Sequence, residues 1–230
     1  MKKLGLLVFA VVIVGSLALV WAVTGKSVIG SSLIHFDVRG SGNIVTEKRE
    51  LSGFKGVHAG GAMQLEITVG KEFSVELEGD DNILPTVKTE VRDGKLFFER
   101  KEGRTWSRGR VTARITMPEL YDLDISGASN ATVNNVKSES LKLESSGASR
   151  IEVSGEARNI DVQVSGASKL DAESLKSERA NVEASGASKA SVFASEYVDA
   201  NASGASRITY SGNPKSVNKD ASGASSISAN

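Results

Sequence analysis

The chain has 230 residues, a length typical of one or two domains, and its 28 acidic residues balance its 28 basic residues. Balanced charge, scattered basic residues and an aromatic content of 5% give no reason to expect nucleic acid as a partner. The absence of cysteine excludes disulfides, thiolate metal sites and a cysteine nucleophile, and 23 glycines indicate many tight turns.

Residues 1–25 are predicted to be an N-terminal membrane anchor or a signal peptide. Two lysines precede an uncharged apolar run from Leu4 to Val23, which as a helix is about 30 Å long, close to the thickness of a bilayer core. The stretch Val20-Trp21-Ala22 leaves open a cleaved signal peptide. The lysines favour the cytoplasmic side. We therefore expect the rest of the chain in the bacterial cell envelope, anchored in the inner membrane facing the periplasm, or exported after cleavage.

Residues 26–40 are interpreted as a tether, and residues 41–120 as divergent β coils plus a hairpin. Period-two alternation predicts short strands in "GNIVTEKREL", "MQLEITVG", "FSVELEG", "VKTEV", "KLFFER" and "RVTARITM". Asp93-Gly94 separates two of these runs and is a strong signal for a two-residue hairpin turn. One turn of helix is expected before Pro85. Whether residues 68–120 form a separate domain is open.

Residues 121–230 contain an internal repeat built around the tetrapeptide SGAS. The tetrapeptide begins at Ser126, Ser146, Ser165, Ser185, Ser203 and Ser222, so one repeat takes about 19 residues. An earlier segment, Gly60-Gly61-Ala62-Met63, aligns with SGAS and is followed by a similar apolar alternation. A repeat of this period without helical periodicity predicts a stack of β coils.

Apolar columns appear when the repeats are aligned on SGAS. Three residues before it stand Leu123, Leu143, Val162, Val182, Ala200 and Lys219, and five before it stand Tyr121, Leu141, Ile160, Ala180, Val198 and Val217. The columns between them are polar, which is the alternation of a strand with one buried face. These two columns are therefore predicted to point inward. The polar last coil suits the end of a solenoid.

The fold predicted from these patterns is all-β: a parallel β-helix-like solenoid of about 19-residue coils. The tetrapeptide is predicted to form stacked structural corners, with glycine supplying the sharp bend, alanine filling the inside with one methyl group, and serines forming hydroxyl ladders or capping the backbone. The predicted corner residues are Gly61, Ala62, Gly127, Ala128, Gly147, Ala148, Gly166, Ala167, Gly186, Ala187, Gly204, Ala205, Gly223 and Ala224.

The chain resembles the bacterial head GIN domain family, described as a putative auto-transporter adhesin. The resemblance rests on "GSGNIVTEKRELSGFKGV", on "MQLEITVGKEFSVELEGDDNILPTVKTEVRDGKLFFER" and on the SGAS corners, and it covers about Gly40 to the end. It implies a β-helix-like solenoid and a surface or periplasmic binding role. The family brings no catalytic residues to this chain.

A row of cations is the candidate binding surface. The residue after the corner is Arg150, Lys169, Lys189 and Arg207 in successive repeats, so the four charges are expected to span about 15 Å. Such a row suits an anionic glycan or a lipid headgroup. The alternative is that outward acids two residues before the corner, such as Glu144 and Glu183, neutralise it.

The leading functional prediction is a non-enzymatic adhesion, ligand-binding or envelope structural module, with a glycan or an envelope protein as partner. The alternative is a polysaccharide lyase or hydrolase that uses Glu152 with Arg150, or Asp171 with Lys169. Outward acids, with Asp161 and Asp199, have the oxygen ligands that calcium requires, but the sequence contains no glycine-aspartate calcium repeat. No catalytic residue, cofactor or metal is expected, and the oligomeric state is open.

Overall fold

Strands make up nearly all the regular structure of this protein. The computed structural model describes residues 36–101 and 104–230, and it confirms an all-β solenoid of about 5 turns. The predicted anchor or signal segment and residues 26–35 of the predicted tether lie outside the described residues. Within the described part of the chain, no helix is long and apolar enough to cross a membrane.

The strands follow the alternating segments of the sequence. They are β1 Phe36–Arg39, β2 Ile44–Lys48, β3 Gly56–Ala59, β4 Met63–Val69, β5 Ser74–Asp80, β6 Val87–Arg92, β7 Lys95–Arg100, β8 Arg104–Arg108, β9 Val111–Met117, β10 Asp122–Ile125, β11 Asn130–Ser145, β12 Arg150–Val164, β13 Lys169–Ala172, β14 Leu175–Ala184, β15 Lys189–Phe193, β16 Tyr197–Ala202, β17 Arg207–Ser211, β18 Ser216–Ala221 and β19 Ser226–Ala229. The helical turn expected before Pro85 is a 3-10 turn, Leu84–Thr86, which contains the proline instead of preceding it.

Two stacks of parallel strands form the solenoid, one on each side of the SGAS corners. The pre-corner stack runs β7, β3, β10, β11, β12, β14, β16, β18. The post-corner stack runs β9, β4, β11, β12, β13, β15, β17, β19. Strands β11 and β12 are long enough to belong to both stacks, because they continue around the looser turn of their coils.

Antiparallel strands close the stack at the end opposite the SGAS repeats. Strand β5 pairs antiparallel with β9 and β2, and β6 pairs antiparallel with β7. The turn between β6 and β7 is Asp93-Gly94, whose φ values of +50° and +73° are those a two-residue hairpin turn requires. Together β2, β5 and β6 cover strand edges that parallel stacking alone would leave open.

A hydrogen-bonded clip holds the start of β2 to the end of β5. Ser41 donates its hydroxyl to Asp81 Oδ1 at 2.6 Å, and the Asn43 amide donates to Asp81 Oδ2 at 2.8 Å. The Gly42 N–H donates to Asp80 Oδ1 at 2.7 Å, where the aspartate is buried. The Ser41 N–H bonds Asn82 Oδ1 at 3.0 Å. We call these residues the clip; they unite the Gly-Ser-Gly-Asn and Asp-Asp-Asn motifs that lie about 40 residues apart in the sequence.

The core lies between the two stacks and is filled by the predicted apolar columns. Leu123, Leu143, Val162, Val182 and Ala200 are fully buried, as the alternation predicts. The side chains become smaller along this column, from leucine to valine to alanine. The column then ends in Lys219, which is exposed. The interior therefore narrows towards the last coil.

The SGAS corners stack directly above one another. Each corner glycine has a positive φ, between +74° and +79° in the six SGAS copies and +95° at Gly61. The N–H of the alanine donates to the carbonyl of the preceding corner glycine at 2.6–2.8 Å, from Ala128 on Gly61 to Ala224 on Gly204. This ladder carries the backbone pairing of the sheet through the bend. Gly61 thus lies where its sequence alignment with SGAS predicts.

The prediction that alanine fills the inside of the corner is wrong. The corner alanines from Ala128 to Ala224 are exposed, and the second serine of the tetrapeptide points inward instead. Ser129, Ser149, Ser168, Ser188 and Ser206 are buried. Their hydroxyls bond backbone carbonyls, such as Ser168 Oγ to Ser165 O at 2.8 Å and Ser206 Oγ to Ala184 O at 3.0 Å. The predicted capping role of serine is therefore confirmed, from the interior of the corner.

Lys219 is expected to keep the last described coil from pairing with other chains. Among the described strands β18 and β19 pair on one side only, and Lys219 stands in the inward column with its Nζ 4.7 Å from the centre of the Tyr210 ring. An inward-facing charge on an edge strand opposes edge-to-edge association. Lys219→Leu should therefore increase concentration-dependent self-association in sedimentation velocity. Lys219→Arg, which keeps the charge, should behave like the parent, and equal association of both variants would refute this role.

Candidate ligand-binding surfaces

The four predicted cations form one row on the post-corner stack. The strand register pairs Arg150 with Lys169, Lys169 with Lys189, and Lys189 with Arg207. At the spacing of neighbouring strands the row spans about 15 Å. We call these four residues the cation row. Each of these residues directly follows the SGAS tetrapeptide of its repeat. Because the tetrapeptides stack, the four residues lie next to one another on neighbouring strands.

The acids expected to neutralise the row do not do so in the described residues. Glu144 bonds Lys142 at 2.7 Å and is the main cause of the raised pKa of that lysine. Glu183 lies with Glu144 on the pre-corner stack, across the bend from the row. Within residues 36–101 and 104–230, the cation row makes an ion pair through Lys169, whose Nζ lies 3.6 Å from Asp171 Oδ2. Much of its positive charge is therefore available to a ligand.

The residues of the enzymatic alternative lie on the same open strand face. Glu152 is exposed and lies in register with Asp171 one coil further along. Asp171 forms the ion pair with Lys169 described above, and both side chains are accessible to water. Both carboxylates line an open surface depression and not an enclosed cavity.

Asp161 and Asp199, the aspartates with potential calcium ligands, are each hydrogen-bonded to the next coil. Asn181 donates its amide to Asp161 at 3.3 Å, and Asn218 donates to Asp199 at 3.1 Å. No group of three or more acidic, histidine or cysteine side chains that could hold a metal occurs in the described part of the chain. These amide–carboxylate pairs link successive coils of the pre-corner stack.

His58 connects the first coil to the repeat. Its Nδ1 lies 2.8 Å from Asp124 Oδ2 on the neighbouring strand, and its ring centre is 5.2 Å from that of Phe97. The side chain is half-buried between these neighbours. The histidine therefore helps to fix β3 between β10 and β7.

An aromatic groove that the sequence did not predict runs along the pre-corner stack, where its strands begin after the looser turns of the coils. It has a volume of about 720 Å³, and tyrosines stand at both ends. Tyr121 is 41% exposed and Tyr197 is 36% exposed. We call this feature the tyrosine groove. Its walls and floor are formed by Glu139, Ser140, Leu141, Lys142, Asn159, Ile160, Asp161, Arg179, Ala180 and Asn181.

The prediction that Tyr121 belongs to the inward column is wrong. Leu120 is fully buried at this point of the chain, and Tyr121 turns outward. Its hydroxyl donates to Glu119 at 3.0 Å, and Glu119 bonds Lys55 at 2.7 Å. The hydrogen bond to Glu119 is the main cause of the raised pKa of Tyr121. The ring is therefore held at the mouth of the groove by contacts with a residue from the first coil.

Comparison with known proteins agrees with this architecture. Residues 53–214 match the family described as "Putative auto-transporter adhesin, head GIN domain". Three crystal structures are similar over 84% of this chain: a putative adhesin from Bacteroides fragilis (TM-score 0.70, 19% identity, 99% of that chain), one from Parabacteroides distasonis (0.54, 19%, 99%) and one from Parabacteroides merdae (0.53, 16%, 98%). At these identities the likeness shows the fold alone. No curated protein matches the chain.

Proposed function

Because the chain belongs to the head GIN domain family of putative auto-transporter adhesins, we propose that it is a non-enzymatic binding module displayed in the cell envelope. The family and the solenoid fold support an adhesion-like role outside the cytoplasm. The uncharged apolar run from Leu4 to Val23 supports attachment to the inner membrane, or export if it is cleaved.

The observation that carries the proposal is the cation row on an open strand face. Four positive side chains follow one another at the strand spacing, and only Lys169 has a carboxylate partner in the described residues. A linear polymer with a regular series of negative charges can contact all four at once. We therefore propose an anionic polysaccharide of the envelope or of a host surface as the ligand of the row.

Removing the row is expected to weaken binding of anionic polysaccharides by at least about tenfold. The variant changes Arg150, Lys169, Lys189 and Arg207 to glutamine in the full-length chain, purified in mild detergent. Four exposed charge contacts at about 0.5 kcal/mol each contribute about 2 kcal/mol, and their loss should also reduce the dependence of affinity on salt. Titration with alginate, polygalacturonate and dextran sulfate at increasing salt measures both effects.

A matched control removes four other exposed cations with the same change in net charge: Lys48, Lys71, Lys101 and Arg110, again to glutamine. This control should bind like the parent. Equal weakening in both variants, or no binding by the parent, would contradict the proposed ligand. The same mixtures are assayed for cleaved polysaccharide, because product formation that disappears in Glu152→Gln or Asp171→Asn would favour the enzymatic alternative.

A further inference from the structure

Among residues 38–101 and 109–230 the exposed large apolar side chains are Ile44, Tyr121 and Tyr197, and the two tyrosines line the same groove. Single exposed apolar residues are common, but a pair of aromatic rings at the two ends of one groove is typical of a binding site. The core does not account for the Tyr121 ring, since Leu120 occupies the interior next to it.

The two rings are separated by a fixed distance along the solenoid. Four coil steps lead from Tyr121 to Tyr197, through β10, β11, β12, β14 and β16. At the spacing of neighbouring strands, four steps are about 19 Å. One sugar ring in an extended chain advances by about one such step, so two end rings that lie four steps apart belong to an oligosaccharide of about five rings.

The space between the rings has a floor of backbone and walls of polar side chains. The side chains of Leu141, Ile160 and Ala180 are buried and face the core, so these residues offer the groove mainly their backbone. One wall is a ladder in strand register, from Ser140 to Asn159 to Arg179, which leads directly to Tyr197. A pyranose chain matches such a site, because the C–H faces of its rings pack on the exposed tyrosine rings while its hydroxyls bond backbone, amide and guanidinium groups.

The charge of the groove favours an uncharged ligand. The carboxylates of Glu139 and Asp161 are balanced by the cations of Lys142 and Arg179. Asp161 also accepts a hydrogen bond from Asn181 at 3.3 Å, so the opposite wall presents alternating donors and acceptors. This balance distinguishes the groove from the cation row, which lies on the other stack and carries net positive charge.

We propose that the tyrosine groove binds an uncharged oligosaccharide of about five sugar rings, with Tyr121 and Tyr197 stacking on its two end rings. The inference deepens the proposed binding function and rests on it, but it uses different residues from the cation row. Tyr121 is already held in place by Glu119 and Lys55, so little ordering is needed when the ligand binds.

The test is calorimetric titration of the full-length chain with uncharged oligosaccharides, from disaccharides to hexasaccharides of the cello-, xylo-, malto- and N-acetylchito-series. Affinity for at least one series should rise up to the pentasaccharide and then level off. Tyr121→Ala and Tyr197→Ala should each lower the affinity for the pentasaccharide about tenfold and remove most of the dependence on length. Tyr121→Phe and Tyr197→Phe should retain binding, because stacking needs the ring and not the hydroxyl.

Ile44→Ala is the matched control, since it removes the remaining exposed large apolar side chain away from the groove and should leave affinity unchanged. Unfolding midpoints equal to that of the parent establish that each tyrosine variant is folded. The proposal is overturned if no series binds the parent at millimolar concentration, or if the alanine variants bind as well as the parent. Loss of anionic-polysaccharide binding in the cation-row variant, with oligosaccharide binding retained, would keep the two proposals separate.

Discussion

Changing Gly166 to alanine is expected to destabilise the solenoid by about 3 kcal/mol or more. Its φ of +74° is unfavourable for a residue with a Cβ, at a cost of about 1–2 kcal/mol. The added Cβ would also lie 2.5 Å from the carbonyl oxygen of Gly147 in the coil before it. That oxygen accepts the N–H of Ala167 at 2.7 Å, so relieving the clash weakens the ladder that runs through the corners.

Urea unfolding followed by circular dichroism measures this effect, and Ala167→Leu is the matched control in the same corner. Ala167 is exposed, so the larger side chain should change the stability by less than about 0.5 kcal/mol. The loss of stability on changing a corner glycine to alanine should also decrease along the stack, because the distance from the added Cβ to the neighbouring carbonyl oxygen is 2.3 Å at Gly127 and 2.8 Å at Gly223. If Ala167→Leu were the more damaging change, the inward side of the corner would be assigned wrongly.

The stack of corners and the direction of their side chains both follow from the sequence. Equal spacing of SGAS forces the copies into the same place on successive coils, and the same argument places the cation row in register. The period of two continues through the bend: counted from Leu123 and Ile125, it places Ser129 and Ala131 inward and Ala128 outward, as their burial confirms. The prediction of an inward alanine is wrong because it follows the small size of the side chain and not this phase.

The tyrosine groove lies beyond the reach of such reasoning. Tyr121 occupies an apolar column of the alignment, and only its neighbours decide whether it faces the core. Leu120 fills the interior in its place, and Lys55, 66 residues earlier, holds Glu119 against the tyrosine hydroxyl. Contacts between residues so far apart carry no periodic signal in the sequence. The clip is similar, since its two motifs are visible in the sequence but their pairing is not.

The second large effect is expected when Asp80 of the clip is changed to alanine. Asp80 is buried and its carboxylate accepts the Gly42 N–H at 2.7 Å. Losing this charged acceptor leaves the N–H without its partner and should cost about 2 kcal/mol. The effect should be local: amides of β2 and β5 should lose protection from hydrogen exchange, while β15 to β19 should keep theirs. Asp220→Ala, at an exposed aspartate in the last coil, is the control and should change little.

Acid should open the same end of the molecule first, through Asp81. Hydrogen bonds from Ser41, and then from Asn43, lower the pKa of Asp81 below its usual value. A carboxylate with a lowered folded-state pKa stabilises the fold above its unfolded pKa of about 3.9, and this contribution is lost as pH falls through the folded value. Protection of β2 amides should therefore drop below about pH 4, and Asp81→Asn should lack that acid-dependent step. An identical acid profile in Asp81→Asn would mean that the clip does not govern how β2 is held to β5.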